Sequence, residues 1–487
     1  MKLDKKLKEA YNQQVTKPNG RQEVLKKANV DKTHHTFFKS LKITGLVAAS
    51  LVGVLVLAVG GVFLANSIHT VTKDQSIKKA RFSIYDTNLL KNETFNLLNN
   101  ISYTEELENN PIDANFLNNV NEFASNTFVL SNKDKNIAYS PLMLYTQLDL
   151  ISCAVSDNET KEQFDNALLI DNANTRQSNI YKAMRNNFFV NKENKNTVQA
   201  KNAVFVDALL GAADQFVEDL SNRNAEVYEM DFRNKNDVNQ AAEWINQSVN
   251  EPGFVDADYF ELQEDSAILF ASTLYFDNSW SRKYKVQDTK ADNFYLSDGS
   301  TTSVKFMNHA YYGPITEYDK YVSLTDYYSS GYSIQYFVPK NISDNIFNLL
   351  PDNFLNNIDS DEHSRAISLS LPKFSLTCDS RLTDMIKSLG VTNPYVFRSN
   401  HLKNAFKDAE SLEYSYLVYT KQKTNVSFDE DGTVVKSLTF SMGAAGKAAN
   451  PNSHAYEVQL NQPFVYCIRD RQKLPLIVGS VLNPNSK

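Results

Sequence analysis

FDEDGTVVKSLTFSMGAAGKAANPNSHAYEV, running from Phe428 to Val458, is the stretch whose reading decides what this chain is. Acidic residues lead to Gly432-Thr433, a half-apolar run follows, and the run then dissolves into Gly, Ala, Asn and Ser. A strand keeps its branched and aromatic residues to its end, and a loop carries turn residues from its start. This stretch does neither. It either folds into the body of the protein or waits outside it, and the surrounding chain decides between the two.

The body is large enough to hold a substantial core. The chain has 487 residues, 42% of them hydrophobic and 22% charged, the proportions of a folded globular protein. The net charge of -7 is unevenly spread, because residues 1–42 carry 11 Lys/Arg against 4 Asp/Glu. The rest of the chain therefore holds about twice the formal negative charge of the whole, which argues against a nucleic-acid partner.

The basic tail leads into ITGLVAASLVGVLVLAVGGVFLANSI, Ile43 to Ile68, 26 residues without a charge. About 20 apolar residues suffice to cross a bilayer as a helix. A secretory signal would be shorter and nearer the start of the chain, so this run reads as a single-pass membrane anchor. The basic tail before it places the N-terminus in the cytoplasm and the body outside the cell membrane. Residues 69–109 are polar and Asn-rich and read as a spacer; residues 110–487 show no linker and no repeat and read as one domain.

Within that domain DANFLNNVNEFASNTFVL has Phe116, Val120 and Phe123 at helical spacing. Ser140-Pro141 opens a second, buried helix with a good N-cap and first-turn pair. DNETKEQFDNALLI begins a third, with Asn158 or Thr160 near its cap. VQAKNAVFVDAL, SAILFASTLYFDNSW and AISLSLPKFSL are strand-like, the last alternating Ile367, Leu369 and Leu371. DSRLTDMIKSLGV is a short helix closed by Gly390, and QPFVYCIRD with LPLIVGSVLNP forms a closing strand pair. The fold class is α+β, helices early and strands late.

No catalytic constellation accompanies this pattern. G-x-S-x-G, H-E-x-x-H, the phosphate loop and paired C-x-x-C are all missing from the sequence. The three cysteines, Cys153, Cys378 and Cys467, have no metal spacing and read as small buried residues. The expectation is a protein without catalysis, cofactor or metal.

Taken in order, several segments resemble the serpin family over about Pro111 to Pro484. NIAYSPLMLYTQLDL with Thr160, Gln163 and Ala167-Leu168 is similar to its early Ser-Pro helix and sequel. AKNAVFV, STLYFDNSW, LPKF at Leu371–Phe374, RLTDMIKSLGV and the closing PFVYCIRD…GSVLNP are similar to further family blocks. The resemblance implies a single domain with a large mixed main sheet and an exposed reactive loop, preceded here by the transmembrane helix. It implies a suicide substrate for a serine protease, or for a cysteine protease, which also forms an acyl intermediate. The cleaved loop would insert as an extra strand into the main sheet, a strand addition driven by released strain.

Glu430, Gly432 and Thr433 match the family's hinge residue by residue. If Thr433 points inward on insertion, Val435, Ser437 and Thr439 follow it, and Lys436 faces solvent. Counting from the hinge puts the cleaved bond near Gly446-Lys447. Lys447 suits a trypsin-like pocket, and Met442 and Phe440 suit apolar-preferring proteases. Where the family places Ser, Asn and His in its sheet-opening region, this chain has Met143, Ser272 and Gln422. The run after Thr433 is bulkier than the family's, and the loop is about six residues longer. These departures favour the alternative, a non-inhibitory serpin-fold protein kept for surface binding or adhesion.

Overall fold

The computed structural model describes residues 81–83, 110–131, 134–169, 173–191, 196–263, 265–342, 344–359, 363–435 and 455–486, all within one compact unit, Ile77–Lys487. The tail 1–42, the apolar segment Ile43–Ile68, most of the spacer and the loop residues 436–454 lie outside the described residues. Among the described residues no helix is long and apolar enough to cross a membrane.

Seven α-helices are described: α1 (Ala114–Val129), α2 (Pro141–Ser152), α3 (Asn158–Ala167), α4 (Ala173–Asn186), α5 (Asp214–Ser221), α6 (Lys235–Ser248) and α7 (Thr383–Ser388). Six of them precede Val249, as the early apolar periods require. The strands are β1 (Arg81–Ser83), β2 (Ile137–Tyr139), β3 (Phe188–Asn191), β4 (Asn196–Asp207), β5 (Ala225–Met230), β6 (Ile268–Ser279), β7 (Lys290–Tyr295), β8 (Thr301–Glu317) and β9 (Tyr321–Tyr327). They continue as β10 (Ser333–Pro339), β11 (Ser364–Pro372), β12 (Phe374–Arg381), β13 (Lys421–Phe428), β14 (Gly432–Val435), β15 (Tyr456–Gln459), β16 (Phe464–Arg469) and β17 (Pro475–Val481).

Two sheets result. The main sheet runs β1-β5-β4-β6-β14-β13-β12, with β3 added on β4; the second runs β15-β11-β8-β9-β10-β16-β17-β2, with β7 on β8. LPKF is the corner between them. β11 belongs to the second sheet and β12 to the first, and Lys373 alone separates them. The core lies between the sheets, where Ile367, Leu369 and Leu371 are buried as their alternation demands.

Helix α2 packs behind the main sheet, and all its residues but Gln147 are buried. Ser140 caps it by accepting from the Met143 amide at 3.3 Å, and Pro141 occupies the first turn, where its missing N–H costs nothing. The cap of α3 is neither Asn158 nor Thr160. Asp157 takes that place, its carboxylate accepting from the Thr160 amide at 2.8 Å, because a capping side chain reaches forward to the amide three residues on. Behind α2 the fully buried Asp149 carboxylate meets Arg223 at 2.5 Å and also contacts Arg176, pinning α2 to α4 and to the chain after α5. The three cysteines are free, with Cys378 and Cys467 buried and Cys153 half-buried.

Candidate functional site

The hinge Glu430-Asp431-Gly432-Thr433 begins at a tight turn off β13. The Asp429 carboxylate accepts from the Asp431 amide at 2.9 Å and from the Gly432 amide at 3.2 Å, folding the chain back on itself. The next four residues do not form an exposed loop. Gly432–Val435 is strand β14, hydrogen-bonded between β6 and β13, with Thr433 opposite Asn278 on one side and Phe428 on the other. The expected exposed loop therefore starts inside the sheet. The reason is local: a side chain at 432 would place its Cβ 2.2 Å from the Asn278 carbonyl oxygen, so only glycine lets the two backbones approach this closely.

Thr433 is fully buried and faces the core. Its hydroxyl accepts from Tyr328 Oη at 2.6 Å. Burial holds the Tyr328 phenol well above its ordinary value, so it keeps the proton it donates. The Tyr328 ring stacks on Trp280 at 4.8 Å, and Trp280 Nε1 donates to the Asp429 carbonyl at 2.8 Å. On the outside of the turn Glu430 accepts from Lys373 Nζ at 2.6 Å and from Thr289 Oγ1 at 3.0 Å. Burial opposes the Glu430 charge, but these hydrogen bonds outweigh it and hold the carboxyl below the ordinary glutamate value.

Below Val435, among the described residues, no strand lies between β6 and β13. A cavity of about 260 Å³ opens there. Its inner wall is α2, through Ser140, Met143, Gln147 and Ile151; its sides are Ile268–Leu274 and Lys421–Asn425. The three residues expected in the sheet-opening region come together on this lining. The Gln422 amide clasps the backbone of Ser140, accepting from its N–H at 2.7 Å and donating to its carbonyl at 3.3 Å. Met143 is buried beside it, and the Ser272 hydroxyl is buried without a hydrogen-bond partner. Gln422 thus ties β13 to the start of α2 through its amide.

Three contributors escaped the sequence reading. Gln147 Nε2 donates to the Phe270 carbonyl at 3.0 Å, standing where an incoming strand would bond. Lys373 pins the hinge from the β11–β12 corner. The chain after α6 roofs the groove: Lys423 Nζ donates to the Phe254 carbonyl at 2.8 Å, Asn425 Nδ2 to Glu251 at 3.1 Å, and Lys421 to both the Tyr259 carbonyl and Glu261. Arg381 closes the same roof on Glu261 at 2.6 Å. The alternation of Lys421, Lys423 and Asn425 with Gln422 and Thr424 was the available signal, since it marks one polar face of a strand that must meet something. Val435 closes the described part of the hinge, while Ser437, Thr439, Met442, Gly446 and Lys447 lie outside the described residues. Among the described residues no group of His, Cys, Asp or Glu is placed to hold a metal ion.

A strand wedged at its first residues into a sheet that stays open below it is a recognisable arrangement. The family profile described as Serpin (serine protease inhibitor) matches residues 118–484. The chain belongs to the serpin family. It is 25% identical over 374 residues to Serpin-Z4 of Hordeum vulgare, covering 72% of this chain and 90% of that protein. It is 24% identical over 392 residues to the Alpha-1-antitrypsin-like protein GS55-MS of Ictidomys tridecemlineatus, covering 77% and 91%. Among solved structures, the thermophilic serpin Tengpin in its native state aligns with TM-score 0.64 at 22% identity, covering 77% of this chain and 95% of that one. Human thyroxine-binding globulin complexed with thyroxine aligns with TM-score 0.61 at 20% identity, covering 76% and 99%. The serpin fold is thus shared with a protein named for binding thyroxine.

Proposed function

We propose that this serpin is a suicide-substrate inhibitor of serine proteases, with cysteine proteases as the second target class. The observation that carries the reading is the hinge seated as β14 above a groove that no described strand fills. Strand pairing there has begun at Thr433 and has room to continue. A protease that attacks the loop becomes acylated on its own nucleophile. The freed loop then adds strand pairs down the groove, each satisfying backbone groups of β6 and β13 that now face an opening. The protease is carried with it and distorted before it can deacylate.

The surface-binding alternative draws on the roof and clasps, since Gln422, Gln147 and the Lys421–Glu261 pair tie the groove's walls to α2 and to the chain after α6. Of these, the Gln147 bond to the Phe270 carbonyl is one that an entering strand's own amide would replace. We further propose that Ile43–Ile68 anchors the protein in the cell membrane with the serpin domain outside; alkaline extraction of membranes should leave it in the pellet.

The test is direct. Residues 70–487 incubated with trypsin should give a complex that survives denaturation, and loop cleavage should raise thermal stability sharply. Cleavage with neither effect, repeated with an elastase-like protease, overturns the inhibitor reading and leaves the binding one.

A further inference from the structure

The end of the main sheet farthest from the hinge carries a surface that protease inhibition does not use. Ten large apolar side chains stand exposed among the described residues, and three of them, Val396, Phe397 and Val418, lie here at 52%, 66% and 57% exposure. The run 414–418 is laced beside 394–401, the Ser415 amide donating to the Ser399 carbonyl at 2.8 Å and the Leu417 amide to the Pro394 carbonyl at 2.6 Å. Ser415 and Leu417 are buried, so alternation turns Tyr414, Tyr416 and Val418 outward. The Phe397 ring meets Tyr416 edge-on at 5.6 Å, and Tyr416 meets Tyr414 at 5.8 Å. Arg398 is exposed, takes a left-handed φ of 57°, and lays its guanidinium over Phe397 at 5.6 Å and over Tyr414 at 5.2 Å. At the rim stand Glu413 and Asp265, whose carboxylate accepts from Tyr414 Oη at 2.9 Å.

Chain geometry decides what can cover it. Gly432 pairs with Ser279 at one end of β6, while Asp265, bonded to Tyr414, lies just beyond Ile268 at the other. The 12 residues of β6 put about 40 Å between the hinge and this surface, at ~3.3 Å per residue. The chain joins the sheet in the half nearer the surface. Arg81 pairs with Val227, which is level with Val204 and through it with Phe270, two residues from Ile268. Ile68, the end of the uncharged segment, precedes Arg81 by 13 positions, a reach of about 45 Å at most. With Ile43–Ile68 spanning the membrane, the serpin domain cannot leave the bilayer's neighbourhood. The hinge end must stay open to a protease arriving from solution, which leaves the opposite end to face the lipid.

From this we infer that Val396, Phe397, Arg398, Tyr414, Tyr416 and Val418 form a lipid-facing surface that seats the domain on the bilayer with its hinge end outward. The residue types fit the headgroup–acyl boundary. Phenylalanine and tyrosine rings sink into it, the tyrosine hydroxyls stay wet, and arginine keeps its guanidinium among the phosphates while its stem lies in the apolar layer. The rim carboxylates of Glu413 and Asp265 repel anionic headgroups, so the zwitterionic phosphatidylcholine headgroup suits the surface better. A patch of six side chains would hold lipid weakly by itself. The tether turns its binding into an intramolecular event at high effective concentration, so weak contacts suffice. The inference rests on the anchor reading of Ile43–Ile68 and is independent of loop insertion.

The test uses the full chain reconstituted in vesicles of phosphatidylcholine brominated high on its acyl chains, where bromine quenches any tryptophan it touches. Phe397→Trp and Val418→Trp place reporters on the surface. Tyr312→Trp places one at an exposed position on β8, and the parent chain supplies the background of Trp244 and Trp280. Brominated lipid should cut the added emission of Phe397→Trp and Val418→Trp at least about twofold and leave that of Tyr312→Trp unchanged. Equal quenching at all three positions, or none at Phe397→Trp, overturns the surface. Blue-shifted, unquenched emission from Phe397→Trp that grows with the number of chains per vesicle assigns the patch to a second copy and overturns it too. Alkaline washing separates the surface from the anchor. A chain that stays in the pellet with Phe397→Trp unquenched keeps the anchor and loses the surface. A chain that alkali releases, but whose Phe397→Trp emission was quenched before the wash, loses the anchor and keeps the surface.

Discussion

Thr433→Arg puts the insertion mechanism to its sharpest test. Thr433 is fully buried, its hydroxyl bonded to Tyr328 and its strand flanked by Asn278 and Phe428. An arginine there has two outcomes. It stays in the sheet as an unpaired buried charge, at several kcal/mol, or it pulls β14 out and forfeits the strand pairing. Because β14 is already paired before cleavage, the second outcome is the one that opposes insertion, which must then re-seat residue 433 against that cost. With a penalty of about 4 kcal/mol, and each 1.36 kcal/mol worth a factor of ten, insertion slows by roughly a thousandfold. Insertion competes with deacylation of the trapped protease, so a chain that forms complex on nearly every encounter becomes one that is cleaved on nearly every encounter. The assay is the yield of denaturation-resistant complex per molecule cleaved. Thr433→Val is the control: it loses only the Tyr328 bond, worth about 1 kcal/mol, and should still form complex in quantity. If Thr433→Arg traps protease as efficiently as the parent, the loop does not act by entering this sheet.

Further outcomes follow from the same geometry. Gly432→Ala drives a Cβ into the Asn278 carbonyl, so β14 should leave the sheet before cleavage; hydrogen exchange at the amides of 432–435 should rise to loop values with the rest of the sheet unchanged. The Glu430 carboxyl is held below its ordinary value in the folded protein. Its contribution is therefore complete above about pH 4.3, the unfolded glutamate value, and disappears as pH falls through the lowered one. Exchange at the hinge should accelerate on acidification below about pH 4 in the parent, and Glu430→Gln should lack that step. Asp149→Ala strips two buried arginines of their shared partner and should cost about 3–5 kcal/mol, seen as an earlier urea midpoint with no change in protease preference among the molecules that fold.

The fold was legible because its signals are local. Ser140-Pro141 opens a helix wherever it occurs, and the alternation of Ile367, Leu369 and Leu371 buries one face of any strand. The cap at Asp157 was missed because three capping residue types follow one another there, and only geometry chooses among them. The hinge residues were readable as a motif, but not their position. Alternation inward at Thr433 is the same for a strand that will insert and for one already inserted. What decides is the absent side chain at Gly432 against Asn278, a contact across 154 residues of sequence. The groove was least legible, because its walls come from α2, β6, β13 and the chain after α6. Gln147 and Gln422 look like ordinary polar residues until the fold brings a backbone carbonyl or amide to each. The same holds for Asn246, which sits in a glycosylation sequon yet is buried, its side chain bonded to both the carbonyl and the amide of Val255.

The pairing of Trp280 with Tyr328 has a practical side. The chain has two tryptophans. One is stacked at the root of the hinge, 4.8 Å from Tyr328; the other, Trp244, lies on α6, the helix that leads into the roof, with its Nε1 donating to Glu226 at 2.9 Å. The protein thus carries its own pair of optical reporters, one beside the root of the strand that enters and one on the helix that leads into the roof. With Trp244→Phe and Trp280→Phe chains side by side, ultraviolet emission after mixing with a protease would time the two movements separately, and their order would say whether the roof is pushed aside by the strand or opens ahead of it.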